Sequence, residues 1–137
     1  MTENHAASSG CVLFICEHGS AKSVIAAAHY TRLASELGLD VRVASRGTDP
    51  DAEYPPHVLA GLRSDGLEPL ESAPVLLTQQ DVAAATEIIT FCSPNLLPES
   101  AKPGEVWDDV PAVSEGYATA RDEIVRRVER LLSKRVA

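Results

Sequence analysis

The chain has 137 residues, 45% hydrophobic and 23% charged, which is the make-up of one ordinary domain and excludes wholesale disorder. Its 12 Lys and Arg against 20 Asp and Glu leave a net charge of -8, so nucleic-acid binding through a basic face is not expected. No run reaches the roughly 18 apolar residues of a membrane helix, so no membrane partner is expected either.

Residues 1–9 are polar and small. They lack the basic start and apolar middle of an export signal and read as a flexible tail before a domain over residues 10–137. The first strong signal is Cys11-Val-Leu-Phe-Ile-Cys16, a continuous apolar run of the kind buried on both faces of a parallel sheet. An alanine-rich helix follows over about residues 20–37, with Gly38 as its stop and Val24, Ile25, Ala28, Leu33 and Leu37 as its buried stripe. Residues 40–45 read as a short strand and 46–50 as a turn. A helix starts at Pro55-Pro56 and stops near Gly66. Residues 67–78 fit no single element, and 79–85 suit a short helix. Residues 87–92 read as a second buried strand, 93–104 as a proline-rich loop and 105–107 as a short strand. Residues 114–134 carry the clearest helical period, through Tyr117, Ala120, Ile124, Val128 and Leu131. Strands alternating with helices predict a single three-layer α/β domain, a four-stranded, mainly parallel sheet with helices on both faces. Ligands of such sheets bind at the carboxyl ends of strands.

Cys16-Glu17-His18-Gly19-Ser20-Ala21-Lys22-Ser23 lies at such an end and runs into a helix. Unpaired amides and the positive end of the helix dipole meet there, which suits a tetrahedral oxyanion. The same field favours a thiolate at Cys16, a nucleophile beneath a bound phosphoryl group. Glu17, His18, Gly19, Ser20, Ala21 and Lys22 are the expected anion-binding residues. Lys22 brings one fixed charge, and the Ser23 hydroxyl reaches back to the Cys16 sulfur. Three sparse cysteines, Cys11, Cys16 and Cys92, point to a reducing, cytoplasmic setting. His18 reads as a rim residue, because no further ligands are spaced for a metal site, and no metal or cofactor is expected.

The segment Val12-Leu-Phe-Ile-Cys-Glu-His-Gly-Ser-Ala-Lys-Ser23 resembles the phosphate loop of the low-molecular-weight protein tyrosine phosphatases. It is similar also to that of the related thiol-dependent arsenate reductases, which reads Cys-Thr-His-Asn-Ser-Ala-Arg-Ser. Ser45-Arg-Gly-Thr48, Trp107-Asp-Asp-Val-Pro-Ala112 and Arg121-Asp-Glu-Ile124 fall in order where the family carries similar stretches. The resemblance implies strand order 2-1-3-4. It also implies hydrolysis of phosphate monoesters, phosphotyrosine among them, through a phosphocysteine on Cys16, with Asp109 as acid and then base. The implied partners are phosphate, arsenate or a phosphorylated substrate.

Three positions depart from the family pattern. Lys22 replaces an arginine that grips two phosphoryl oxygens, Gly19 replaces an asparagine, and Val110 separates Asp109 from Pro111. Two alternatives follow. One is arsenate reduction, with Cys92 as a possible redox thiol and an external thiol reductant. Glu99 stands where a resolving cysteine would be, so a three-cysteine relay is incomplete. The other is a catalytically weak or inactive anion-binding module, for which the Lys22 change argues.

Overall fold

The uncharged run Cys11–Cys16 forms β1, an inner strand of a four-stranded sheet. The computed structural model describes residues 10–136, so the expected tail at 1–9 lies outside the described residues. β2 (Arg42–Gly47) flanks β1 on one side and β3 (Glu87–Thr90) on the other, and β4 (Glu105–Val106) lies beyond β3. All pairs are parallel and the order is β2-β1-β3-β4, as the resemblance implied. The register sets Cys16 beside Gly47. β2 starts and ends two residues later than the sequence pattern indicated, because its pairing with β1 runs through Arg46 and Gly47.

Among the described residues the α-helices are α1 (Lys22–Glu36), α2 (Pro56–Ser64), α3 (Gln79–Ala84) and α4 (Tyr117–Val136). Successive β1 residues serve opposite faces. Val12, Phe14 and Cys16 join a core with α1, α2 and α4, while Leu13 and Ile15 pack with Val82 of α3 and with Ala101. This is why β1 is apolar throughout rather than alternating. Ala26, Ala27, Ala28 and Ala34 are buried in α1, and side chains that small let it lie close to its neighbours. Leu37, expected in the buried stripe, is 51% exposed, because the helix ends at Glu36 and the chain turns away at Gly38. Residues 67–78 are mostly irregular. Gly47 donates to Val75 O at 2.9 Å and accepts from Leu77 N at 2.9 Å, which ties this segment to the edge of β2.

A polar cluster joins three helices. His29 Nε2 lies 3.2 Å from the Asp65 carboxylate, which also accepts from Tyr117 Oη at 2.7 Å and from Arg121. Among the described residues no helix is long and apolar enough to cross a membrane.

Candidate active site

The loop after β1 is shaped by where its carbonyls go. Cys16 O accepts from Thr48 N at 3.3 Å, Glu17 O from Asp49 N at 2.7 Å and His18 O from Asp51 N at 3.0 Å. In a trans peptide the next N–H points opposite to the carbonyl. The amides of Glu17, His18 and Gly19 therefore turn away from residues 48–51. Gly19 makes the turn at φ +60, and an added Cβ there would stand 2.8 Å from Gly47 N. α1 then begins at Lys22, and no side chain caps its first turn. Its leading amides remain open to an anion.

Cys16 sits at the base of this cradle, 9% exposed, with its Sγ 2.9 Å from the buried Ser23 Oγ. Ser20 Oγ donates to Asp51 at 2.7 Å and braces the loop from outside. His18 Nδ1 lies 3.1 Å from Asp49 O; a carbonyl only accepts, so Nδ1 carries the proton. That bond, aided by the nearby Asp51 carboxylate, raises the His18 pKa from its usual 6.5.

The loop opens into a pocket of about 540 Å³. Glu17, His18, Ser20, Ala21 and Lys22 line one side; Phe91, Cys92, Ser93 and Leu96, after β3, line the other; Asp108 completes it. Every expected loop residue except Gly19 and Ser23 lines this pocket. Gly19 instead packs its backbone on Gly47, and Ser23 lies beneath beside the thiol. Cys92 enters the pocket with its Sγ 3.2 Å from Thr90 Oγ1; burial pushes its thiol pKa up, and the neighbouring Cys16 adds to this.

Two expected roles meet a different geometry. Asp109 does not line the pocket. Its carboxylate is 2.9 Å from Arg127, and that bond holds its pKa below the usual carboxylate value, the wrong direction for a proton donor. The Val110 side chain is buried in the core with Trp107 and Val113, and Asp108 lines the pocket. Lys22 lines the pocket, but its Nζ donates to Val110 O at 2.7 Å. Asp49 and Asp51, which brace the loop, escaped the sequence reading. They lie in a turn 31 residues or more away, and only the fold brings them there. Among the described residues no cluster of three or more His, Cys, Asp or Glu is arranged to hold a metal ion.

The family model for low molecular weight phosphotyrosine protein phosphatase matches residues 11–103. No curated protein sequence matches the chain at a significant level. Among solved structures, a YwlE mutant from Bacillus subtilis superposes with a TM-score of 0.76 at 18% identity, over 93% of this chain and 99% of that one. The low molecular weight protein tyrosine phosphatase from T. tengcongensis gives 0.73 at 18%, over 91% and 99%. A thioredoxin-dependent arsenate reductase from Corynebacterium glutamicum gives 0.75 at 28%, over 91% of this chain and 61% of that one. This chain thus spans less than two thirds of that reductase. The likenesses at 18% establish the fold alone.

Proposed function

The chain belongs to the low molecular weight phosphotyrosine protein phosphatase family, and on that premise we propose that it hydrolyses phosphate monoesters through Cys16. The observation that carries the reading is the cradle itself: a thiol at the floor of a loop whose first three carbonyls, those of Cys16, Glu17 and His18, are bonded outward to residues 48–51. The amides of the loop and the first turn of α1 hold the nonbridging oxygens. The Cys16 sulfur attacks phosphorus, forming an S–P bond as the ester P–O bond breaks. Asp108 gives its proton to the leaving oxygen. It then takes a proton from water, whose oxygen attacks phosphorus and releases Cys16 and inorganic phosphate. Ser23 stabilises the sulfur as nucleophile and as leaving group. Preorganised donors in a partly closed site supply most of the charge stabilisation.

Phe91 and Leu96 give the pocket an apolar wall, which suits an aryl ester of the phosphotyrosine type. The three cysteines are free, which fits a reducing compartment, and we assign the protein to the cytoplasm. The test is turnover of p-nitrophenyl phosphate by the purified protein. Turnover lost in Cys16→Ser supports the reading; no turnover, or turnover that survives Cys16→Ser, overturns it.

Cys92 in the same pocket favours a second reading, arsenate reduction. The Cys16 sulfur would attack arsenic and form an S–As bond as an As–O bond breaks and that oxygen leaves as water, and Cys92 would then attack the Cys16 sulfur. Arsenic takes the electron pair of the broken S–As bond and leaves as arsenite, and a Cys16–Cys92 disulfide remains for an external thiol to reduce. Arsenate-dependent consumption of an added thiol, lost in Cys92→Ser, distinguishes it from hydrolysis.

A further inference from the structure

The segment from Trp107 to Val110 is held at each residue except one. Trp107 is 2% exposed, its ring centroid is 5.5 Å from that of Phe91, and its Nε1 donates to Glu105 at 2.7 Å. Asp109 pairs with Arg127 of α4. The Val110 side chain is 4% exposed in the core. Asp108 and Asp109 are both exposed, and of the two Asp108 lines the pocket. On the side of the phosphate loop, the segment's tie is the bond from Lys22 Nζ to Val110 O at 2.7 Å. Lys22 is the first residue of α1, the helix whose amino end forms the cradle.

Resting on the phosphatase reading above, we propose that Lys22 is a positioning residue for Asp108, acting through the Val110 carbonyl, rather than a ligand that orients the phosphoryl group. The chemistry of the residue fits this task. An ammonium is a point donor on a flexible stem, able to reach a carbonyl on a neighbouring loop, whereas it cannot grip two phosphoryl oxygens in one plane. With Nζ on Val110 O, the height of the 107–110 segment above Cys16 is set from the same helix that sets the anion. Without that bond the segment keeps its ties to Thr90 of β3, Glu105 of β4 and Arg127 of α4. A displacement of about 1 Å in a reacting group costs on the order of 100-fold in rate, and the cost falls on the step that uses that group.

That step is proton donation to the leaving oxygen, so the loss should depend on the leaving group. Nitrophenolate leaves well without a proton and phenolate does not. Lys22→Met, which keeps the stem and removes the donor, should lower kcat for phenyl phosphate by about 100-fold and for p-nitrophenyl phosphate by only a few-fold. In an Asp108→Asn background the same change should bring no further selective loss on phenyl phosphate. Equal losses on both substrates, with a matching rise in the inhibition constant of inorganic phosphate, would make Lys22 an anion ligand and overturn the proposal. Hydrogen exchange provides a readout independent of turnover. The amides of residues 107–110 should exchange faster in Lys22→Met while those of α4 keep their protection; unchanged exchange at 107–110 also overturns it. If the wild type hydrolyses neither ester, the phosphatase reading has failed, and the exchange result still decides whether Lys22 holds the loop.

Discussion

Gly19→Ala perturbs the cradle at its tightest point. The residue sits at φ +60, where an L side chain costs about 1–2 kcal/mol. Its new Cβ would also stand 2.8 Å from Gly47 N and 2.9 Å from Gly47 Cα, both backbone atoms of a paired strand that cannot rotate away. Overpacking of this kind adds about 1–3 kcal/mol. The sum, about 2–5 kcal/mol, corresponds in a domain of this size to a fall in Tm of about 10–20 °C. The chain can relieve the clash only by lifting the loop off residues 48–51, which turns amides away from the anion. Thermal unfolding followed by circular dichroism, with and without phosphate, reads both effects. Phosphate raises the Tm of the wild type by binding the folded state, and that increment should shrink in the variant. A Tm within about 2 °C of wild type together with an unchanged phosphate increment would refute the close approach of Gly19 to Gly47.

Three further outcomes are expected. Asp108→Asn should reduce kcat for poor leaving groups by about 100- to 10,000-fold, whereas Asp109→Asn should leave it within a few-fold; paired steady-state assays decide, and the reverse order would restore Asp109 as the acid. Ser23→Ala removes the hydroxyl 2.9 Å from the Cys16 sulfur. One bond to a charged group contributes about 1.5–3 kcal/mol, so turnover should drop about 10- to 100-fold with little change in Tm, and unchanged turnover would deny Ser23 its role. Burial lowers the pKa of His29 below 6.5 in the folded chain. The stability it permits is complete above the unfolded value of 6.5 and is lost as pH falls below it, until folded His29 itself protonates. His29→Gln should flatten the Tm–pH curve from pH 6.5 down to about pH 4, where carboxylates take over, and an unaltered slope would show that His29 is not what titrates there.

Much of the site was legible before the structure. β1, the loop and α1 could be placed because a strand buried on both faces has no choice but to be apolar, and because a glycine and a run of polar residues must follow where it meets solvent. The parallel order of four strands followed from alternation and from the resemblance of four short segments. What escaped were effects of distance along the chain. The Gly19–Gly47 contact joins the loop after β1 to the end of β2, and neither glycine announces the other. Residues 67–78 gave no periodic signal because the segment is largely irregular, held at Val75 and Leu77 by backbone bonds to Gly47 and at Glu71 by Arg46 and Tyr54. Asp109 was favoured over Asp108 by counting positions to the proline. The structure puts Asp108 rather than Asp109 at the pocket, next to the buried Val110 side chain, and a hydrophobic residue in a loop does not reveal from sequence alone which way it faces. The Lys22 bond to a main-chain carbonyl 88 residues away involves no side-chain partner that a pattern could have flagged.

The central claim is that Cys16 carries the phosphoryl group between two half-reactions. Mixing enzyme with p-nitrophenyl phosphate, quenching in acid within one turnover and sequencing the peptides by mass spectrometry tests it directly. One phosphoryl group should be found on the peptide containing Cys16, and none on those containing Cys11 or Cys92. It should accumulate in Asp108→Asn, where water is not activated, and be missing in Cys16→Ala. Product release with no phosphorylated Cys16 at any quench time, or the same labelling in Cys16→Ala, would contradict the mechanism.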